Sequence, residues 1–268
     1  MTTEPAFLAT AIDAVVHAGN LMMERFGQDV RVDKKGTIDL VTEVDLAVER
    51  MFRALIADRF PSHAILAEEF GGDGLAPDRP CWIFDPIDGT TNFAHGVPIF
   101  CSSVALEIGG ALEVGAVYDP TRHELFTAVR GGGAFLNHKP LRVSSAGVLV
   151  DAMLVTGFPY DVHDRVAEIV GLFGEFVGRA RAVRRLGSAA IDLCYVAAGR
   201  MDAFWESDLK PWDIAGGALI VQEAGGRVSG LGGEPFSPYS GSVLASNGHL
   251  HDAMLEVIRG FGGQRCHP

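Results

Sequence analysis

Residues 81–92 read CWIFDPIDGTTN, and this stretch decides how the rest of the chain is interpreted. The apolar run 81–84 is typical of a buried strand, and it is followed by two carboxylates, Asp85 and Asp88. Buried carboxylates are costly without a positive charge, and no Lys or Arg occurs from residue 81 to residue 100. The simplest compensation is a bound cation. All-oxygen ligands suit a hard ion, Mg²⁺ or alternatively Mn²⁺ or Ca²⁺.

The residues around these carboxylates favour a metal site next to a phosphate site. Pro86 has no backbone N–H and stiffens the turn, which leaves the carbonyl of Ile87 available as a further ligand. Gly89 permits close backbone approach, and a short helix is predicted to begin at Thr90, where unpaired amides would bind phosphate. An isolated Asp-Gly pair is usually only a turn, but metal ligands followed by a phosphate seat indicate phosphoryl chemistry.

The composition is that of a globular protein with an acidic surface. The chain has 268 residues, of which 48% are hydrophobic, and a formal net charge of −12. One compact unit or two closely packed subdomains fit this length, and the negative charge argues against direct nucleic acid binding. The N-terminus lacks a secretion signal, and no apolar run suggests a membrane span. We therefore expect a cytoplasmic protein without membrane association, with reduced thiols at Cys81, Cys101, Cys194 and Cys266.

Hydrophobic periodicity and turn residues predict two kinds of region along the chain. Helices are predicted near residues 7–26 and 42–60. Three β-like runs between residues 100 and 129, separated by Gly and Pro turns, predict an antiparallel meander. Beyond a boundary near residues 143–152, strands alternate with helices, which predicts a second sheet between helices.

Two acidic residues outside the central stretch are further candidates. Glu68 directly follows a short apolar strand, so we expect its carboxylate in the same cleft as Asp85. Thr42 and Asp45 resemble a helix-capping pair, and a functional role for Asp45 is compatible with capping.

Two motifs resemble the hallmarks of the inositol monophosphatase family, the Mg²⁺-dependent, lithium-sensitive sugar-phosphate phosphatases. They are DPIDGTTNF at residues 85–93, and WDIAGG at 212–217 followed by EAGG at 223–226. The resemblance implies an α+β fold, the layered αβαβα sandwich of the sugar-phosphatase type, with an antiparallel meander sheet and a second mixed sheet flanked by helices. Residues 1–146 would form an N-terminal α+β subdomain with most metal ligands. Residues 147–268 would form a C-terminal α/β subdomain with Asp213 and substrate contacts.

The resemblance also implies a site with two or three Mg²⁺ ions, or Mn²⁺ in their place. One ion would be held by Glu68, Asp85 and the Ile87 carbonyl, and a second by Asp85, Asp88 and Asp213. A weaker third ion occurs near Glu68 in some members.

The implied reaction is hydrolysis by a metal-activated water. Phosphate would lie on the amides of Gly89 and Thr90. The water would lose its proton through Glu68 and Thr90, with Asp45 orienting the Thr90 hydroxyl.

The substrate side resembles a polyol site. Glu206 matches the family position that binds a sugar hydroxyl, and Ala189 matches a backbone contact to the same ring, alongside Asp88 and Asp213. The expected reaction converts myo-inositol monophosphate to inositol and phosphate. The TGFP segment at residues 156–159 resembles bacterial members, and relatives also hydrolyse fructose-1,6-bisphosphate, histidinol phosphate or phosphoadenosine phosphate, so these stay alternatives.

A basic cluster comprises Arg179, Arg181, Arg184 and Arg185. It is typical of a solvated strand or of a dimer interface, and the family is usually homodimeric. The other interpretation is a docking site for a protein partner, since bacterial relatives of this type are linked to RNA polymerase complexes. The chain would then be a regulatory partner on the same fold, but its complete carboxylate set favours catalysis.

Overall fold

A computed structural model describes residues 5–72 and 79–264, with side chains as far as residue 262. The helices are Pro5–Arg25 (α1), Glu43–Arg59 (α2), Thr90–Ala94 (α3), Val166–Val177 (α4), Ala189–Ala197 (α5), Pro211–Glu223 (α6) and His251–Gln264 (α7). The strands are Val32–Lys34 (β1), Leu40–Thr42 (β2), Ala64–Ala67 (β3), Gly71–Gly72 (β4), Cys81–Asp88 (β5), Cys101–Ile108 (β6), Ala111–Asp119 (β7), Glu124–Val129 (β8), Gly133–Leu136 (β9), Lys139–Pro140 (β10), Met153–Thr156 (β11), Ala182–Arg184 (β12), Ala203–Ser207 (β13), Arg227–Ser229 (β14) and Ser242–Ser246 (β15). Cys81, Cys101 and Cys194 are buried thiols, and Cys266 lies outside the described residues.

The larger sheet has eight strands in the order β10-β9-β8-β7-β6-β5-β3-β4. Strands β6, β7 and β8 form the predicted antiparallel meander. Strands β3 and β5 pair in parallel, with Ala67 opposite Phe84. Because the carboxyl ends of parallel strands meet at one edge of a sheet, Glu68 and Asp85 follow these paired residues side by side.

Strand β5 differs from the prediction, since it continues through Pro86 to Asp88 instead of ending before Asp85. Asp85 pairs with Ser103 and Asp88 pairs with Cys101, so β5 carries one extra residue between them. A bulge of this kind tolerates proline and redirects the side chains next to it. The bulge therefore sets the directions of both carboxylates.

The smaller sheet is mixed and has the order β12-β11-β13-β15-β14. Strand β11 is parallel to β12 and β13, whereas β15 is antiparallel to β13 and β14. Helices α1 and α2 pack on the larger sheet, α5 and α6 contact both sheets, and α4 and α7 pack on the smaller sheet. This layering confirms the αβαβα architecture. The division into subdomains at residues 146 and 147 stays a prediction, because one apolar core spans both halves.

Helix α1 has 21 residues and, by length and composition alone, could cross a membrane. This differs from the expectation that no apolar run reaches such a length. In the fold, one face of α1 packs on the larger sheet through Ala11, Ala14, Val15, Ala18 and Met22, all fully buried. The core position of this face accounts for its apolar composition.

Helix α6 approaches the larger sheet closely because glycines lie at the contact. A Cβ on Gly115 of β7 would lie 2.9 Å from the carbonyl oxygen of Gly216. A Cβ on Gly216 would lie 2.9 Å from both Ser103 Oγ and the Val104 carbonyl oxygen. Any side chain at either position would push the helix outward. Since Asp213 lies in the first turn of α6, this contact fixes its position relative to the sheet.

Candidate active site

A cavity of about 390 Å³ lies where the two sheets and their connecting segments meet. Seven predicted site residues line it: Glu68, Asp88, Gly89, Thr90, Ala189, Glu206 and Asp213. The other three, Asp45, Asp85 and Ile87, are at most 1% exposed. They are connected to the lining by hydrogen bonds and by electrostatic interactions, so the fold brings all ten residues together.

The start of α2 orients the Thr90 hydroxyl. Thr42 is the N-cap of α2 and forms the predicted capping box, because its hydroxyl oxygen accepts from the Asp45 N–H at 3.4 Å and its own N–H donates to Asp45 Oδ2 at 2.8 Å. The Thr42 hydroxyl also donates to Asp45 Oδ2 at 2.5 Å. The other carboxylate oxygen, Oδ1, lies 3.1 Å from Thr90 Oγ1, which also lies 2.8 Å from the Ile87 carbonyl oxygen. A hydroxyl has one proton, so Asp45 and Ile87 compete for it.

The carboxylates of Asp85 and Asp88 have contrasting surroundings. Asp85 is 1% exposed, and its Oδ1 has no hydrogen-bond partner in the described structure. Burial raises the pKa of Asp85 well above its usual range, and the negative charge of Glu68 adds to this. By contrast, Asp88 Oδ2 accepts hydrogen bonds from the Ser188 hydroxyl at 2.7 Å and the Ala190 N–H at 2.6 Å. Burial raises the pKa of Asp88 to about 6, although these hydrogen bonds oppose the shift.

A positive charge reaches the site from the hairpin formed by β1 and β2. Lys35 Nζ donates to Glu68 Oε1 at 2.8 Å and to Glu69 Oε1 at 2.6 Å. Burial raises the pKa of Glu68 to about 8, although the charge of Lys35 opposes this shift. Lys35 was not among the predicted site residues. The available signal was that residues 34 and 35 are the only adjacent lysines in the chain.

Asp213 occupies the N3 position of α6, and Lys210 is the N-cap. Its Oδ2 accepts a hydrogen bond from the Lys210 N–H at 2.6 Å. Burial raises the pKa of Asp213 well above its usual range, and the negative charge of Asp88 adds to this. One carboxylate thus caps a helix while it lines the acidic part of the cavity.

One wall of the cavity contains Glu206 of β13. Its carboxylate packs directly on Gly157, where an added Cβ would lie 2.0 Å from Glu206 Oε2. Burial raises the pKa of Glu206 to about 8, and the charge of Arg185 opposes the shift. The glycine of the TGFP segment is therefore explained by contact with Glu206. Ala189 lies beside this wall as the first residue of α5.

The four arginines of the predicted basic cluster are all exposed, but their surroundings differ. Arg179 and Arg181 form ion pairs with neighbouring carboxylates at 2.6 and 2.9 Å. Arg184 forms no ion pair within the described residues. Arg185 also lines the cavity. The role of the cluster as a docking site or dimer interface stays a prediction.

The donor set fits a divalent cation chemically. Carboxylate and carbonyl oxygens are the ligands of hard ions, and an unpartnered buried oxygen at Asp85 is a position where a positive charge would be stabilised. In the part of the chain that the structure describes, no group of three or more His, Cys, Asp or Glu side chains is already arranged to hold a metal ion. The fit therefore rests on donor chemistry and charge.

Comparison with known proteins identifies relatives over nearly the whole chain. A profile of the inositol monophosphatase family matches residues 5–260. An inositol-1-monophosphatase of Synechocystis sp. is 43% identical over 94% of this chain and 88% of the relative. The Nus factor SuhB of Pseudomonas aeruginosa is 45% identical over 94% of this chain and 95% of the relative. The structure of an inositol monophosphatase from Anabaena superposes with a TM-score of 0.87 at 38% identity, covering 95% of this chain and 96% of the other.

Proposed function

The chain belongs to the inositol monophosphatase family, and from this membership we propose that it hydrolyses myo-inositol monophosphate to inositol and phosphate in a Mg²⁺-dependent reaction. The observation that carries the proposal is the unpartnered oxygen of Asp85, buried among other carboxylates next to a cavity. The chain's own charges leave this oxygen unmatched, and a cation with an anionic substrate would complete the site.

The proposed ion ligands are those implied by the sequence. Glu68, Asp85, the Ile87 carbonyl, Asp88 and Asp213 would hold two Mg²⁺ ions, with a third ion or Mn²⁺ as variations. When bound, the ions would neutralise the carboxylates and the phosphate and lower the pKa of water.

The chain's own groups would then bind phosphate and move protons. Gly89 has a φ of +98°, and an added Cβ would lie 2.9 Å from the Ile99 carbonyl oxygen, so only glycine lets its amide and that of Thr90 face a phosphate. An attacking water would give up its proton through Glu68 and Thr90. The Thr90 hydroxyl, oriented by Asp45, would hold this water in line with the phosphorus.

A substrate panel tests the proposal. We expect phosphate release from inositol-1-phosphate to exceed that from fructose-1,6-bisphosphate, histidinol phosphate and phosphoadenosine phosphate. Full chelation of divalent ions should abolish release, and lithium should inhibit it. Release that survives chelation would overturn the metal mechanism. A higher kcat/KM for another member of the panel would replace the substrate but keep the reaction class.

A second candidate function is that of a regulatory partner protein, in a cytoplasmic homodimer. The relatives named Nus factor SuhB and the exposed Arg184, on the edge strand β12, favour this candidate. Arg184→Glu should change the oligomer size in light scattering or the recovery of large partners. Arg181→Glu, at an exposed arginine already paired with a carboxylate, is the control. If neither variant changes either readout, this candidate is wrong.

A further inference from the structure

Helix α5 carries one acidic residue among apolar and aromatic ones, Asp192 in AAIDLCYVA. Asp192 is 1% exposed and lines the cavity, and its Oδ1 has no hydrogen-bond partner within the described structure. Burying a polar group without a partner is costly, so such a group in a cavity wall is a position that a ligand would complete. None of the roles assigned above uses this carboxyl.

Asp192 lies in the same wall as Glu206. Burial raises the pKa of Asp192 well above its usual range, and the negative charge of Glu206 adds to this, so the two carboxyls interact. Asp192 comes from the first turns of α5 and Glu206 from β13, which contacts that helix. The wall therefore presents two acceptors from two different elements.

Arg185 completes this wall with hydrogen-bond donors. It lines the same cavity and opposes the pKa shifts of both carboxyls. Among the described residues its guanidinium forms no ion pair, and it lies 5.9 Å from the centre of the Phe158 ring. A guanidinium offers five N–H donors in a fixed plane.

The two carboxyls and the guanidinium of this wall restrict which chemical groups of a ligand can bind next to it. A substrate ammonium group would suit Asp192 and Glu206 but would be repelled by Arg185. A second phosphate would suit Arg185 but would be repelled by the carboxyls. Hydroxyl groups both donate and accept, so adjacent hydroxyls on a neutral ring match all three residues.

We propose that Asp192 is a substrate-binding residue that accepts a hydrogen bond from a hydroxyl of the leaving polyol, next to the hydroxyl bound by Glu206. This inference rests on the proposed phosphatase function and deepens it. The cavity then selects neutral leaving groups with at least two hydroxyls, and it disfavours amino phosphates and bisphosphates.

The test compares inositol-1-phosphate with cyclohexyl phosphate, which has the same ring without hydroxyls. In Asp192→Asn we expect KM for inositol-1-phosphate to rise about tenfold, because the amide is a weaker acceptor and places an NH2 donor where the carboxyl has an oxygen. The KM for cyclohexyl phosphate should change by less than about twofold, because that ring has no hydroxyl to lose. Asp192→Ser serves as the second variant if the first does not fold.

The matched control is Asp202→Asn. Asp202 accepts hydrogen bonds from the Ser144 hydroxyl and the Met153 N–H and does not line the cavity, so its loss should affect both esters alike. Equal changes on both esters in Asp192→Asn, or no change on either, would overturn the inference.

Failure of the proposed function has a different signature, namely no Mg²⁺-dependent phosphate release from either ester by the unmodified protein. Calorimetric titration of myo-inositol in the presence of inorganic phosphate then still decides the role of Asp192. Weaker binding by Asp192→Asn supports the inference, and equal binding contradicts it.

Discussion

Two adjacent regions of the molecule bury carboxylates in opposite ways. Glu49 of α2 is fully buried, and its oxygens accept hydrogen bonds from the Arg53 guanidinium and from the N–H groups of Glu69 and Phe70. Asp85 of β5, the strand on which α2 packs, is equally buried but has an oxygen with no partner in the described structure and several negative neighbours. The chain supplies every partner that Glu49 needs and leaves Asp85 to be completed from outside. Burial alone therefore does not distinguish a structural acid from a functional one, whereas its hydrogen-bond partners do.

The largest expected effect comes from Asp85→Asn. The amide keeps the shape of the side chain but removes the charge, so phosphate release should fall at least about a thousandfold. The unfolding temperature of the metal-free protein should stay constant or rise, because an uncompensated buried charge is removed. Phosphate assays with Mg²⁺ and thermal unfolding in chelator measure the two effects. A large loss of metal-free stability would mean that Asp85 has a structural partner after all, and the contrast with Glu49 would disappear.

The second prediction is the converse, Glu49→Gln. This change leaves Arg53 and two backbone N–H groups with a weaker acceptor, and we expect a loss of about 2–3 kcal/mol in the free energy of unfolding. Urea denaturation measures this loss. The kcat/KM of the folded variant should fall far less than that of Asp85→Asn. A fall as large as that of Asp85→Asn with unchanged stability would assign Glu49 to the catalytic machinery.

The smallest effect is a pH dependence of stability in the metal-free protein. Glu206 has a pKa of about 8 in the folded chain, whereas a glutamate in the unfolded chain has its ordinary pKa of 4.5. Between these two pH values the folded state therefore binds more protons than the unfolded state. Stability should accordingly fall as pH rises, and Glu206 alone should contribute about 2 kcal/mol between pH 6.5 and 8.5. Glu68, whose pKa is also about 8, should add to the fall. This window lies above the range in which His251 titrates, whose burial lowers its pKa to about 4.

Urea unfolding in chelator at the two pH values measures the dependence, and Glu206→Gln should reduce it. Saturating Mg²⁺ at pH 8.5 should restore stability by binding the folded state. A flat profile in the unmodified protein would show that the carboxyls of the cavity are matched within the chain, as Glu49 is.

The sequence predicted best those features that depend on residues close together in the chain. The cap formed by Thr42 and Asp45 was predicted from residues three positions apart, and its geometry follows from local backbone structure. The β6–β8 meander was predicted from alternation and turns. Both features are encoded within short segments, so a single sequence is sufficient to find them.

The missed features depend on contacts between distant segments. Lys35 reaches Glu68 only because the hairpin folds over the ends of β3 and β5, and no local pattern specifies that distance. The bulge in β5 depends on register with β6, so the apolar run alone ended the strand too early. Asp192 was visible as an acid within an apolar helix, but its significance required the cavity on which it lies.

The glycine contact between α6 and the larger sheet has a consequence for where substitutions that abolish activity can occur. The distance between Asp213 and the carboxylates of β5 depends on Gly115 and Gly216 having no Cβ atom. A methyl group at either position would force α6 away from the sheet and move Asp213 away from Asp85 and Asp88. Activity would then be lost through a substitution at a residue that does not line the cavity.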